Sequence, residues 1–159
     1  MWVRSPPGFA FVNYYINILA LNGKEVFYML DRLIKGITTV AGVKVVNTTP
    51  HAITMTTADQ SITDSVSPCG ALINATAVAQ PVDSGITGIK FQKTSFIADP
   101  TTTDTLMAFH AKYPDVIVIG SLIAAQAYPG LVVAMVAHPD FMRVPPADKK
   151  MLIDTYTVY

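Results

Sequence analysis

Asn47, Thr49 and His51 lie within five positions of one another and flank Pro50. An imidazole titrates near neutral pH and can donate or accept a hydrogen bond, so His51 can bond or protonate a ligand while Asn47 fixes its orientation. Pro50 locks its own φ and pushes Thr49 into an extended conformation, which holds these side chains at set angles. The same residues also suit a structural role. Asn47 and Thr49 would then satisfy the backbone of a proline elbow, and His51 would cap a neighbouring strand.

Gly120-Ser121 is the second place where chemistry can sit. It joins an apolar run to a short helical pattern, and a strand-to-helix turn points free N–H groups outward, toward a phosphate or carboxylate. The Gly-x-Gly-x-x-Gly, P-loop and Gly-x-Ser-x-Gly signatures are all absent, which leaves an ordinary helix cap as the alternative. Lys90, Lys93, Arg143, Lys149 and Lys150 are cations that can reach an anion, or simply stand in solvent. Asp115, Asp140 and Asp148 form no pair spaced for acid–base work. His51, His110 and His138 match no metal-ligand spacing, and His110 falls beside the apolar side of a helix. The expected binding set is therefore Asn47, Thr49, His51, Lys93, Gly120 and Ser121, with no metal, no cofactor and no assigned catalytic residue.

These residues need a frame. Val43 to Val46 reads as the first firm strand, and Ile53 and Met55 share one face of its continuation after the elbow. Ser61 to Val66 returns as a strand, Ser67 to Gly70 turns, and Ala71 to Val78 extends again. Pro81 to Gly88 is rich in turn formers, and Ile89 to Ile97 alternates as a half-buried strand ended by Asp99-Pro100. Thr103 or Asp104 can cap a helix whose one side carries Leu106, Phe109, His110 and Tyr113, stopped by Pro114. Val116 to Ile119 is apolar on both faces, as a central strand must be. Leu122 to Tyr128 is a short helix, Pro129-Gly130 a turn, Leu131 to Val136 a strand, and residues 138–149 a Pro-rich charged loop. Met151 to Tyr159 reads as an edge strand, and Leu30 to Ile37 as a turn of helix or an extended lead-in. The sum is an α+β fold: a mixed, largely antiparallel sheet or partly closed barrel with two short helices.

Composition narrows the function classes. Hydrophobic residues make up 51% and charged residues 14%, enough apolar material for a core and too little polarity for disorder. The formal charge of zero removes the broad basic footprint that an extended nucleic acid requires. Low charge also leaves apolar surface for a second copy of the chain to cover, so a homo-oligomer is expected. Cys69 stands alone, which excludes an internal disulfide and a cysteine-rich zinc site. Residues 116–137 are long and apolar enough to imitate a membrane span, but Pro129-Gly130 and the β-branched runs around it point to strand, helix, turn and strand. No membrane partner is expected.

Residues 1–28 read differently from 29–159. Residues 1–28 hold the only Trp and a dense aromatic cluster without periodicity. Gly23-Lys24-Glu25-Val26 can be encoded so as to contain AAGGAGGT, a bacterial ribosome-binding sequence, with Met29 at initiation spacing behind it. The expectation is an N-terminal arm over 1–28, encoded upstream of a start at Met29, followed by one α+β domain over 29–159.

The segment Asn47-Thr48-Thr49-Pro50-His51-Ala52-Ile53 resembles the opening strand of a group of small bacteriophage and prophage proteins, which reads Asn-Leu-Thr-Pro-His with a β-branched tail. Ile117 to Ala127 is similar to that group's closing strand, Ser and short apolar helix, and Gly88-Ile89 with Lys93 to Phe96 to its middle strand. The likeness covers roughly residues 43–137. Thr48 stands where Leu is usual, Gly120 where a branched residue is common, and the helix ending at Tyr113 replaces a short Pro-rich loop. The resemblance implies a phage-encoded protein working in the cytoplasm of the bacterial host cell. Three roles then stand: a binder that sequesters an anionic or nucleotide small molecule, such as a signal of host antiviral defence; a virion or assembly component; and a hydrolase using His51 as base with Ser121 nearby.

Overall fold

Val45 and Val46 are neighbours in the chain, yet they are buried in different cores, and that division organises the molecule. Alternate residues of a strand face opposite sides of a sheet. In the computed structural model, which describes residues 23–159, the strand Val43–Asn47 (β2) therefore feeds two layers at once. Val45, Ile53, Met55, Val66, Ile119 and Ile153 fill the inside of a strongly curved sheet. Val46, Val116, Val118 and Ala134 point the other way and pack against helices through Leu33, Leu106, Phe109 and Ala124.

The sheet has seven strands. Thr38–Val40 (β1) pairs antiparallel with β2, which pairs parallel with Val116–Gly120 (β7); Ile53–Thr56 (β3) pairs antiparallel with Thr63–Val66 (β4). Val133–Ala137 (β8) lies parallel to β7, and Met151–Thr157 (β9) joins β8 antiparallel and β3 parallel, giving the order β1-β2-β7-β8-β9-β3-β4. Beyond β4 the chain returns to β2. Asn47 bridges Pro68, and the Cys69 N–H donates to the Asn47 carbonyl at 2.8 Å, so the curved sheet nearly closes into a barrel. Thr76–Asp83 (β5) and Lys90–Ile97 (β6) form a separate antiparallel hairpin. The architecture is α+β, with a mixed, nearly closed sheet.

Three helices lie among the described residues. Residues 23–35 form α1, which buries Leu30 and Leu33 and runs unbroken across Met29. The expected arm over 1–28 lies outside the described residues as far as residue 22, and its last six positions belong to this helix. Pro100–Lys112 is α2. Its cap is Asp99 rather than Thr103 or Asp104: an Asp side chain accepts the Thr102 N–H at 2.8 Å, and Pro100 supplies a first-turn residue with no N–H to satisfy. Leu122–Ala127 is α3, capped by Ser121.

Three expectations about strands need correction. β5 begins at Thr76 and continues through Pro81 to Asp83, because a hairpin strand with a free edge tolerates a proline. Ala71 to Ala75 is irregular; it buries Ala71 and Ile73 against the helical layer. β9 is no edge strand but sits between β8 and β3. The apolar run 116–137 folds as β7, α3 and β8, and among the described residues no helix is long and apolar enough to cross a membrane.

Candidate functional site

The elbow is held by Asn47. Its side chain is fully buried and every hydrogen-bonding position on it is used. Nδ2 donates to the carbonyls of His51 at 2.8 Å and Val66 at 3.0 Å. Oδ1 accepts the Thr49 N–H at 2.9 Å and the Thr49 hydroxyl at 2.7 Å. An Asn saturated in this way shapes the backbone and has nothing left for a ligand. Thr48, also buried, ties the elbow to the next strand: its N–H and its hydroxyl both donate to the Ile119 carbonyl, at 2.9 and 2.7 Å. That pair of bonds is what brings the proline elbow beside Gly120-Ser121.

A cavity of about 470 Å³ opens where the elbow and the β7–α3 turn meet. Thr49, His51 and Ser121 line it, together with Ala52, Ile53 and Thr54 of the strand that follows the elbow. Met135 of β8, Met151 of β9, and Pro146, Ala147 and Lys149 of the β8–β9 connection complete the wall. The site lies beyond the carboxyl ends of two neighbouring parallel strands, β2 and β7. Its lining is mainly apolar, with a few polar groups converging on it, the usual composition of a small-molecule pocket.

The polar groups differ in what they have left to offer. The Ser121 Oγ accepts the Ala124 N–H at 3.1 Å as helix cap, which leaves its hydroxyl proton free to donate. Thr49 donates its hydroxyl to Asn47 Oδ1 and shares it with the His51 carbonyl at 3.1 Å. His51 is exposed toward the cavity. Lys149 is half-buried, and its ammonium belongs to none of the ion pairs among the described residues. A lysine at a cavity wall with no carboxylate paired to it has its charge available to an anion that enters the cavity.

Three members of the expected set are not on the wall: Asn47, buried beneath the elbow, and two others. Gly120 lies behind the cavity rather than on its wall. A Cβ there would come within 2.6 Å of Val132 Cγ1 and 3.2 Å of the Ala124 Cβ, so the glycine lets α3 and Val132 close onto the end of β7. Lys93 is exposed on the β5–β6 hairpin, outside the cavity lining. Conversely, the sequence offers Lys149 only as one of five cations, and gives no sign of Met135, Met151 or Pro146. The signal for Lys149 lies in strand order: β9 starts beside β3, so the residues just before it must arrive next to the elbow.

The other histidines have structural work. His110 Nε2 lies 2.7 Å from the Leu131 carbonyl, and His138 Nε2 lies 3.0 Å from the Ala58 carbonyl. Among the described residues no three His, Cys, Asp or Glu side chains gather where a metal could be held. Burial pushes the Cys69 thiol above its ordinary range, as for an unreactive core cysteine. Comparison of the chain with protein-family models, with curated proteins and with solved structures gave no match.

Proposed function

We propose that this chain is a phage-encoded small-ligand-binding protein that captures an anionic molecule of the nucleotide class and keeps it from host antiviral signalling. The observation that carries the reading is a convergence. Thr49 and His51 from the elbow, Ser121 from the β7–α3 turn and the unpaired Lys149 all line one cavity. Its volume of about 470 Å³ is in the range of small-molecule sites. Ile53, Met135, Met151 and Pro146 supply an apolar bed for a planar base, while Lys149 and the Ser121 hydroxyl supply donors for a phosphate. The phage origin and the host cytoplasm rest on the resemblance of the elbow segment. Self-association is supported by the exposed apolar tip of the β5–β6 hairpin, formed by Val82, Ile86, Ile89 and Phe91.

Binding without turnover accounts for the polar groups better than hydrolysis does. No hydrogen bond links Ser121 to His51; the bond made by the Ser121 Oγ is the one it accepts from the Ala124 N–H. No carboxylate lines the cavity to orient the imidazole.

The test is a calorimetric titration with a panel of mono-, di- and cyclic nucleotides, followed by chromatography of the ligand after denaturation. One or more should bind and be returned unchanged. His51→Ala and Lys149→Ala should each weaken binding by about tenfold or more, the scale of a lost charge-assisted contact. Both should melt close to the wild type, because neither side chain is buried in a core. Absence of binding across the panel, unchanged affinity in both variants, or a converted ligand would overturn the reading.

A further inference from the structure

The connection between β8 and β9 carries three residues of the cavity wall, Pro146, Ala147 and Lys149, and it begins at a buried histidine. His138 is 5% exposed. Its Nε2 lies 3.0 Å from the Ala58 carbonyl oxygen and its Nδ1 lies 3.2 Å from the Asp140 amide nitrogen. A carbonyl can only accept and an amide N–H can only donate. The two partners therefore define one state of the ring: neutral, with the proton on Nε2 donated to Ala58 and the Nδ1 lone pair accepting from Asp140. In that state His138 is the side-chain cap of the single turn Pro139–Phe141 that starts the connection.

A second proton can go only onto Nδ1, where it would meet the Asp140 N–H donor to donor. The nearest acceptor for it is the Asp140 carboxylate, whose Oδ2 lies 3.8 Å from Nδ1 and is itself bonded by Gln60 Nε2 at 2.9 Å. Bonding to that carboxylate ends the bond from the Asp140 N–H, and with it the cap on the turn. Two other charged groups lie on the elements packed around the ring. Asp59, on the same β3–β4 turn as Ala58, is held down to about 2 by hydrogen bonds from the Thr57 and Ser61 hydroxyls, so it keeps its charge from pH 5 to 8. The Lys150 ammonium sits 4.6 Å from the centre of the Phe141 ring, which stands edge-on to His138.

We propose that His138 is a pH-sensitive latch: its neutral form pins the start of the 138–150 connection to the β3–β4 turn, and its protonation releases the connection and loosens the cavity wall. The latch stands on the hydrogen-bond geometry of His138 alone; its effect on a bound ligand rests on the reading of the cavity as a binding site. Acidification should then weaken capture, because Pro146, Ala147 and Lys149 move with the connection.

Amide hydrogen exchange resolved by residue tests this without any ligand. Rates over residues 140–149 are measured at pH 5.5 and 8.0, corrected for intrinsic exchange, in the wild type and in His138→Gln. The glutamine keeps one donor for Ala58 and one acceptor for Asp140 but cannot titrate. Protection at Asp140 and through the connection should fall by about tenfold at the lower pH in the wild type and stay level in the variant. Equal pH dependence in both proteins, or none in the wild type, would overturn the latch. If the variant does not fold, nitrogen chemical shifts of the His138 ring in the wild type decide instead. They should show the Nε2–H form at high pH and a doubly protonated ring at low pH, with the Asp140 amide shifting in step. A ring that titrates without moving that amide would refute the proposal. Failure of the nucleotide panel would count against the cavity reading and not against the latch.

Discussion

Asn47 is the residue whose loss should be felt most around the site. It sits fully buried with two donors and two acceptor positions satisfied by the elbow and by Val66. Asn47→Ala removes all four bonds, leaves the partly buried Thr49 N–H without its acceptor, and takes one of the donors from the buried Val66 carbonyl, which stays paired with Ile53 in the β3–β4 ladder. A buried polar group left without a partner costs about 1–3 kcal/mol, so a loss of roughly 2–4 kcal/mol is expected, with water rescuing the more exposed groups. Urea unfolding measures it: the midpoint should fall while the slope stays constant. An Asn47→Ala protein as stable as the wild type would contradict the bonding described. From the sequence, Asn47 and His51 look alike as candidates, because spacing places both at the elbow. Burial separates them, and burial depends on Val66, nineteen positions away, which no local pattern reveals.

At the level of elements, the passage from β7 into α3 fixes the floor of the site. The apolar run 116–119 and the Gly-Ser that follows are legible in the sequence because a double-faced apolar strand can only be central. The reason for the glycine is not, since it comes from Val132 on the far side of α3. Gly120 is not in a left-handed conformation; the constraint on it is space. A methyl group there would lie 2.6 Å from Val132 Cγ1, 3.2 Å from the Ala124 Cβ and 3.5 Å from the Thr48 hydroxyl. Gly120→Ala should therefore destabilise by about 1–3 kcal/mol, the usual cost of overpacking. It should also disturb the Thr48–Ile119 bonds that dock the elbow. Ser121→Ala, which removes only the helix cap, should cost about 1 kcal/mol. Thermal melts of the two variants test the order; a milder Gly120→Ala would show that the junction has slack.

For the molecule as a whole, strand order is what local patterns miss. The stretch 151–157 looks like a terminal edge strand, yet it joins β8 to β3 and so brings Lys149 to the elbow, because pairing is decided by which buried faces fit together. The β5–β6 hairpin shows the reverse case: its alternation is plain in the sequence, but the structure gives its outer face nothing to cover it. The register sets Thr76 opposite Ile97, Val78 opposite Ser95, Gln80 opposite Lys93 and Val82 opposite Phe91 on one face, so its apolar part is the tip, Val82 and Phe91 with the turn beyond them. On the other face Phe96 anchors the base to the helical core. Val82 is 46% and Phe91 51% exposed, with Ile86 and Ile89 exposed at the turn. A two-stranded ribbon is marginal alone in water, so the proposed self-association buries this face against a second copy. Val82→Glu combined with Phe91→Lys puts an opposite-charge pair at the same register, which supports the hairpin while removing its apolar face. By analytical ultracentrifugation the wild type should sediment as an oligomer and the double variant as a monomer with unchanged circular dichroism. A monomeric wild type, or a variant that assembles equally well, would mean that this ribbon does not hold copies together.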